Sequence, residues 1–261
     1  MADDLIPAPI IVLVSIIGSL VCIYLSQLPF GGIFSIIATV LSVVLGTNTL
    51  RYIGKYSLGT GIPSIIYMLT ASGLVSFIVG LTLASTIGQP MLLPIIALLS
   101  AAIIALIISM ICKYIFKIEV EILAASFVKI AIASMLAILS SSTLIATGLD
   151  TAVIMNTVID NGIIIFLMLA IVMSIQNPYN ACMGPNEDQY RTLSLALANI
   201  FLFLSIISII SSLNSTIWYI YLAISLMGCI ISLYKYFKYT KMQAASVRWS
   251  GLWSNNDEGD F

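Results

Sequence analysis

The chain is a succession of apolar runs separated by short polar connections. The runs have the length of about 20 residues that an α-helix needs to cross a bilayer, whereas barrel strands need about ten residues of alternating polarity. We predict eight spans, with approximate bounds 6–25, 33–50, 65–87, 92–111, a fifth from between 122 and 130 to 148, 153–175, 192–211 and 217–234. The predicted fold is therefore all-α, a polytopic transmembrane helical bundle over residues 1–234, followed by a cytoplasmic tail over 235–261.

Composition agrees with a membrane protein and excludes several functions. Hydrophobic residues make up 61% of the chain and charged residues 8%, whereas soluble domains carry roughly a quarter charged residues. The lipid bilayer is thus an expected partner, and a net charge of -1 argues against a nucleic-acid partner. The chain contains no histidine, which excludes an imidazole base or metal ligand, and its four cysteines form no C-x-x-C pair.

Cations lie in alternate connections between the predicted spans. On one side are Arg51, Lys55, Lys113, Lys117, Arg191, Lys235, Lys238, Lys241 and Arg248. The opposite connections contain no lysine or arginine, and Lys129 lies near the cationic end of the fifth span. Because short cytoplasmic loops are rich in lysine and arginine, we predict that both termini are cytoplasmic.

The longest polar interruption runs from Gln176 to Leu193. A turn and a helix cap account for its polar residues: a turn around Pro178, a break at Gly184 and Pro185, and an N-cap at Asn186. In the alternative interpretation, the loop re-enters the bundle to line an ion vestibule, or it docks a partner subunit. The residues assigned to this loop and its counterpart are Asn177, Pro178, Asn180, Gly184, Pro185, Asn186, Glu187, Gly59, Gly61 and Pro63.

The two Gly-Pro loops also occupy equivalent positions in the predicted layout. One joins spans two and three, and the other joins spans six and seven. Polar breaks at matching positions are typical of transporters built from repeats, so two four-span halves are predicted. The alternative is that any helical hairpin needs such turn residues.

Asp160 is the strongest candidate for a sodium ligand. The apolar run after it, Ile163 to Ile175, is too short to cross about 30 Å alone, which predicts that the helix begins earlier and carries Asp160 about two turns inside. Asn156 and Thr157 precede it by four and three residues, so helical spacing predicts their oxygens beside the carboxylate. Alternatively, Asp160 and Asn161 cap a shorter helix at the outer surface.

Two motifs carry a resemblance to a known family. GTGIPSIIYM over residues 59–68 and NPYNACMGPNEDQYRTL over residues 177–193 resemble the C subunit of tetrahydromethanopterin S-methyltransferase. The resemblance implies an eight-subunit complex that transfers a methyl group from methyl-tetrahydromethanopterin, through a corrinoid, to coenzyme M and exports sodium ions.

The same resemblance implies a role for this chain within that complex. It would be a component without catalytic residues, multi-pass in the cell membrane, which packs with the D and E membrane subunits. The corrinoid would lie on the partner A subunit, and this chain would bind no cofactor beyond sodium. The alternative from composition alone is an autonomous secondary transporter or permease.

Overall fold

The computed structural model describes residues 8–56, 62–115, 117, 123–181 and 189–249 of the 261-residue chain. Within these ranges the regular structure is helical, as predicted, and contains no strand. The helices are α1 (Ala8–Leu25), α2 (Gly32–Tyr56), α3 (Ile62–Ile87), α4 (Leu93–Tyr114), α5 (Leu123–Ile145), α6 (Thr151–Ile154), α7 (Ile163–Ala181), α8 (Gln189–Ile210) and α9 (Trp218–Trp249). Short 3-10 turns precede α4 and follow α8, and a π-helical turn, Met155–Ile159, follows α6.

Six of the described helices are long and apolar enough to span a membrane: α2, α3, α4, α5, α8 and α9. Two of the eight predicted spans differ from this simple form. The first, α1, is shorter, with an apolar part of Pro9–Leu25. The sixth is broken, because the α6 and π-helical segment meets α7 at 83°. The polytopic helical bundle is therefore confirmed, and the sixth span is bent where a continuous helix was predicted.

Helix α5 is the centre of the bundle. In its most apolar stretch 89% of the residues are buried, compared with 28% for α4 and 22% for α9. It packs against α1, α2, α3, α4, α7 and α8. Phe127, Ile130, Met135 and Leu136 are among its fully buried side chains. Helices α4 and α9 therefore present wide apolar faces to the bilayer or to other proteins.

Buried hydroxyl groups join the central helices. The pairs are Ser19 with Ser42 at 3.1 Å, Ser35 with Thr143 at 2.9 Å, Thr39 with Ser140 at 2.7 Å and Thr70 with Ser134 at 3.4 Å. Several of these hydroxyls also donate to a carbonyl of their own helix, as Thr39 does to Ser35 and Ser140 does to Leu136. Small hydroxyl residues allow close helix packing and form hydrogen bonds between helices, because apolar burial alone holds helices together weakly in lipid.

The two ends of the bundle differ in charge. We call one the basic end: it contains Arg51, Lys113, Lys117, Lys129, Arg191, Lys235, Lys238 and Lys241. We call the other the far end: it is formed by the connections α1–α2, α3–α4, α5–α6 and α8–α9, which contain no lysine or arginine. The separation agrees with the cation pattern in the sequence, and the cytoplasmic position of the basic end stays a prediction.

The two predicted halves pack in ways that are only partly similar. In both halves the third and fourth spans form a hairpin, α3 with α4 and α8 with α9, and the fourth span is the more exposed. The first spans differ, since α5 is central whereas α1 packs mainly on α2 and α5. The two halves are thus unequally placed, and the repeat stays a prediction.

Candidate functional site

Asp160 lies at the far end, where the sixth span is broken. It follows the π-helical turn Met155–Ile159, its backbone N–H donates to the Met155 carbonyl at 3.0 Å, and its side chain is exposed. Helix α7 begins three residues later, after Gly162 at φ 69°. The prediction that a continuous helix carries Asp160 two turns inside the span is therefore wrong.

The backbone carbonyls of Asn156 and Thr157 and the Thr157 hydroxyl form hydrogen bonds with groups other than Asp160. The Asn161 side chain donates to the carbonyls of Asn156 at 2.8 Å and Thr157 at 3.2 Å. The Thr157 hydroxyl accepts from Asn214 Nδ2 at 3.3 Å. In a π-helix hydrogen bonds connect residues five apart, so the spacing of three and four used for an α-helix does not align these oxygens with the carboxylate. Sodium binding by Asp160, Asn156 and Thr157 stays a prediction.

The missing length of the sixth span comes from its basic end. Helix α7 has 19 residues, about 28 Å, and continues through Asn177, Pro178 and Asn180 to Ala181. Pro178 is buried inside the helix and Asn177 is half-buried. The predicted turn around Pro178 is therefore wrong: these residues complete the span.

The other residues of the Gly-Pro loops have different outcomes. Pro63 lies in the first turn of α3, as its fixed φ favours. Gly59, Gly61, Gly184, Pro185, Asn186 and Glu187 lie outside the described residues. A partner-docking or vestibule role for these loops stays a prediction.

Gln176 is a functional candidate that sequence reasoning did not select. The residue is 7% exposed, and its Oε1 has no hydrogen-bond partner among the described residues. Because Pro178 has no N–H, the carbonyl of Ser174 four residues before it also lacks its helical donor. Ser174 itself is fully buried, and its hydroxyl donates to the Ala170 carbonyl at 2.7 Å. In the sequence, this site could have been found from the proline that lies four residues after a serine inside an apolar run.

The packing around Gln176 places it inside the bundle. The neighbouring Ile175 is fully buried and reaches Gly46 of α2, where an added Cβ would lie 2.6 Å from Ile175 Cδ1. The same position would lie 3.6 Å from Ala133 Cβ of α5. Helices α2, α5 and α7 thus meet at this level, and α7 brings Gln176 Oε1 and the Ser174 carbonyl to it.

A cavity of about 770 Å³ opens at the far end. Its described lining comes from all four far-end connections: residues 26–32, then Ser85, Gly88, Pro90 and Met91, then residues 143–144 and 146–151, and finally Ser215, Ile217 and Tyr221. Of these residues Asp150 carries the carboxylate, and none is a lysine, arginine or histidine. The electrostatics of this lining favour a cation over an anion.

Hydrogen bonds hold the walls of this far-end cavity together. Tyr24 donates to the Met91 carbonyl at 3.0 Å, and the Gly32 N–H donates to the Tyr221 hydroxyl at 3.4 Å. Gly31 has no room for a side chain, since an added Cβ would lie 1.8 Å from the Ser26 carbonyl oxygen. The cavity is thus built by tight turns that connect different helices.

Asp150 has both a structural and an electrostatic role at this cavity. Its Oδ1 accepts from the N–H groups of Ala152 at 2.9 Å and Val153 at 3.3 Å, which caps α6. Its Oδ2 accepts no hydrogen bond from the described residues, so one carboxylate oxygen remains for solvent or a cation. This arrangement was not predicted, because the residues that surround Asp150 come from four distant parts of the sequence.

The fold and these features define a class of protein: a polytopic helical membrane protein with a broken span and a cavity at one end. The profile of the family described as the C subunit of tetrahydromethanopterin S-methyltransferase matches residues 1–257. The chain belongs to this family, whose members form part of a methyltransferase complex.

Curated relatives agree with the family match. The chain is 34% identical to the C subunit of tetrahydromethanopterin S-methyltransferase from Methanothermobacter thermautotrophicus, over 98% of this chain and 97% of the relative. It is 34% identical to that of Methanothermobacter marburgensis, with the same coverage. It is 35% identical to that of Methanosarcina mazei, over 97% of this chain and 94% of the relative. The resemblance seen in the two motifs is therefore confirmed over nearly the whole chain.

Proposed function

We propose that this chain is a non-catalytic integral membrane subunit of a sodium-translocating complex that transfers a methyl group from methyl-tetrahydromethanopterin to coenzyme M. It lies in the cell membrane, packs against the D and E subunits, and leaves the corrinoid to the A subunit. Family membership supports the methyltransferase assembly. The absence of histidine from the sequence supports placing cobalt ligation and imidazole base chemistry on other subunits.

The sixth span is the observation that carries the proposed sodium path. It is bent by 83° at the far end. Its α7 part carries Gln176 Oε1, which has no hydrogen-bond partner among the described residues, and the Ser174 carbonyl, to which Pro178 cannot donate. Amide and backbone oxygens are suitable ligands for a hard cation, and broken helices often carry ion sites in transporters. With no ion nearby, Gln176 Oε1 would be a buried oxygen without a donor, which destabilises a helix bundle.

The two ends of this span suggest a direction for the path. Sodium would enter from the basic end beside Gln176 and leave at the far end, where Asp160 and the Asp150 cavity provide negative charge. An exposed carboxylate at the exit attracts a cation without holding it tightly, since solvent screens the interaction. Asp160 is thus retained as a sodium ligand in this proposal, at the exit of the path.

The test uses the assembled complex in liposomes and measures methyl transfer as a function of sodium concentration. We expect Gln176→Leu to weaken the apparent sodium affinity by roughly tenfold, the effect of losing one buried oxygen contact. Asp160→Asn should weaken it by roughly two- to fivefold, because solvent screens an exposed carboxylate. Met173→Leu, on the exposed face of α7, is the matched control and should leave the affinity unchanged. Unchanged activity and sodium affinity in both test variants would remove the ion path from this chain.

A second candidate function is an autonomous secondary transporter or permease. The broken sixth span and the far-end cavity favour it, because both features occur in such transporters. Reconstitution of the chain alone in liposomes separates the two proposals. Sodium or solute flux by the isolated chain would overturn the subunit proposal, whereas flux that requires the other subunits supports it.

A further inference from the structure

Helix α9 is longer than the membrane is thick. It has 32 residues, which corresponds to about 48 Å, whereas the hydrocarbon core of a bilayer is about 30 Å. About 12 residues therefore project beyond the hydrocarbon at the basic end. The helix is continuous across position 234, so the first part of the predicted tail, up to Trp249, is helical.

One face of this projecting part is fixed to the start of α8. Arg191 Nε donates to Thr240 Oγ1 at 3.1 Å, and its Nη1 donates to Gln243 Oε1 at 3.0 Å. The same guanidinium lies 5.6 Å from the centroid of the Tyr236 ring. The planar Arg191 guanidinium donates hydrogen bonds and stacks on a ring at the same time, which fixes the orientation of the side chains around it. These contacts therefore fix the rotation of α9 about its axis.

The opposite face of α9 forms one exposed stripe. Met227, Ile230, Tyr234, Lys238 and Lys241 follow one another at spacings of three and four residues, and all are exposed. The stripe is apolar inside the membrane, then aromatic, then cationic. This is the order of acyl chains, interfacial region and headgroups in a bilayer.

We propose that this stripe binds anionic lipid headgroups of the leaflet at the basic end. Lys238 and Lys241 of the stripe, together with the exposed Lys235 beside it, contact the headgroup phosphates, while the Tyr234 ring lies at the interface. None of the three lysines forms an ion pair with a described residue. The apolar part of this face lies against the acyl chains, and the lysines continue the same face. The lysines therefore lie at the level of the lipid headgroups.

The expected preference follows from the charge of the stripe. Each lysine near an anionic surface strengthens the attraction roughly fivefold, and the effect falls off within a Debye length. Loss of two lysines should therefore reduce the preference for anionic lipid by roughly tenfold or more. The same loss should follow from high salt, since screening shortens the Debye length to about 3 Å at 1 M.

The test uses the full chain in nanodiscs of equal parts phosphatidylglycerol and phosphatidylcholine, released into a native mass spectrometer. The measured quantity is the ratio of the two lipids retained on the protein. The test variant is Lys238→Gln with Lys241→Gln. The matched control is Lys113→Gln with Lys117→Gln, which removes the same charge from exposed positions at the same end.

We expect the wild type and the control to retain phosphatidylglycerol preferentially and the test variant to lose that preference. An equal loss in both variants would show that only net charge matters and would overturn the proposal. A wild type that retains the two lipids equally would also overturn the proposal. If the test variant keeps its lipids but loses partner subunits when it is purified as the complex, the stripe docks an acidic protein surface, and the lipid proposal is wrong.

Discussion

Replacing Gly73 with alanine would place a methyl group where α3 touches the central helix α5. An added Cβ at Gly73 would lie 2.9 Å from the backbone nitrogen of Met135 and 2.9 Å from Ser134 Cβ. It would also lie 3.1 Å from the Ala131 carbonyl oxygen. Two of these three neighbours are backbone atoms, so the new methyl group is accommodated only if the two helices separate.

The magnitude can be estimated by comparison with Gly18→Ala. Overpacking typically destabilises by about 1–3 kcal/mol, while alanine favours a helix over glycine by up to about 1 kcal/mol. At Gly18 the nearest atom is Leu41 Cδ1 at 3.0 Å, the end of a flexible side chain that can move. We therefore expect Gly73→Ala to be less stable than Gly18→Ala by about 1–3 kcal/mol, or roughly 2–12 °C in melting temperature.

Two free buried thiols provide the assay. Cys112 and Cys229 are buried, so a thiol-reactive dye added to the full chain in one detergent reports their exposure on heating. The readout is the difference between the midpoints of the two variants and the wild type. If Gly73→Ala and Gly18→Ala melt within about 1 °C of each other, the close approach of α3 and α5 at this position is refuted.

Two more predictions concern hydrogen bonds between helices. Thr39→Val should lower the free energy of unfolding by about 0.6–1.7 kcal/mol, because it removes the bond to Ser140 of another helix. Thr82→Val removes only a bond within its own helix, at an exposed position, and should have a smaller effect in the same thermal assay. Arg191→Lys should loosen α9 from α8, and amide hydrogen exchange around Thr240 should become roughly tenfold faster; an unchanged rate would contradict the clamp.

Most of the helices could be predicted from the sequence because apolar runs of membrane length have few alternatives. The predicted bounds 65–87 and 92–111 lie within three residues of the observed α3 and α4 at each end. The second span was predicted to end at Leu50, but α2 continues to Tyr56, since a helix can extend beyond the hydrocarbon into the headgroup region. Apolarity thus locates the spans but not the ends of the helices.

The sixth span was mispredicted because polarity is a poor guide to helix ends inside a bundle. Pro178 and the flanking amides were interpreted as a turn, yet the neighbouring helices bury Pro178 and keep the segment helical. Neighbouring helices commonly allow proline within a transmembrane helix. The far-end cavity could not be predicted from the sequence for another reason: its walls come from four connections that only the folded bundle brings together.

The central position of α5 also constrains how the protein is made. Ser140, Ser141, Ser142 and Thr143 are all buried, and Ser140 and Thr143 bond to α2. During synthesis α1 to α4 emerge first, so α5 enters the membrane beside partners that already carry the matching hydroxyls. Helices α7 and α8 arrive later and close its remaining side. Until then one side of α5 faces lipid, and the bonds of Ser140 and Thr143 to α2 hold the helix in place, so this interval of biogenesis should be the one most sensitive to mutations in α2.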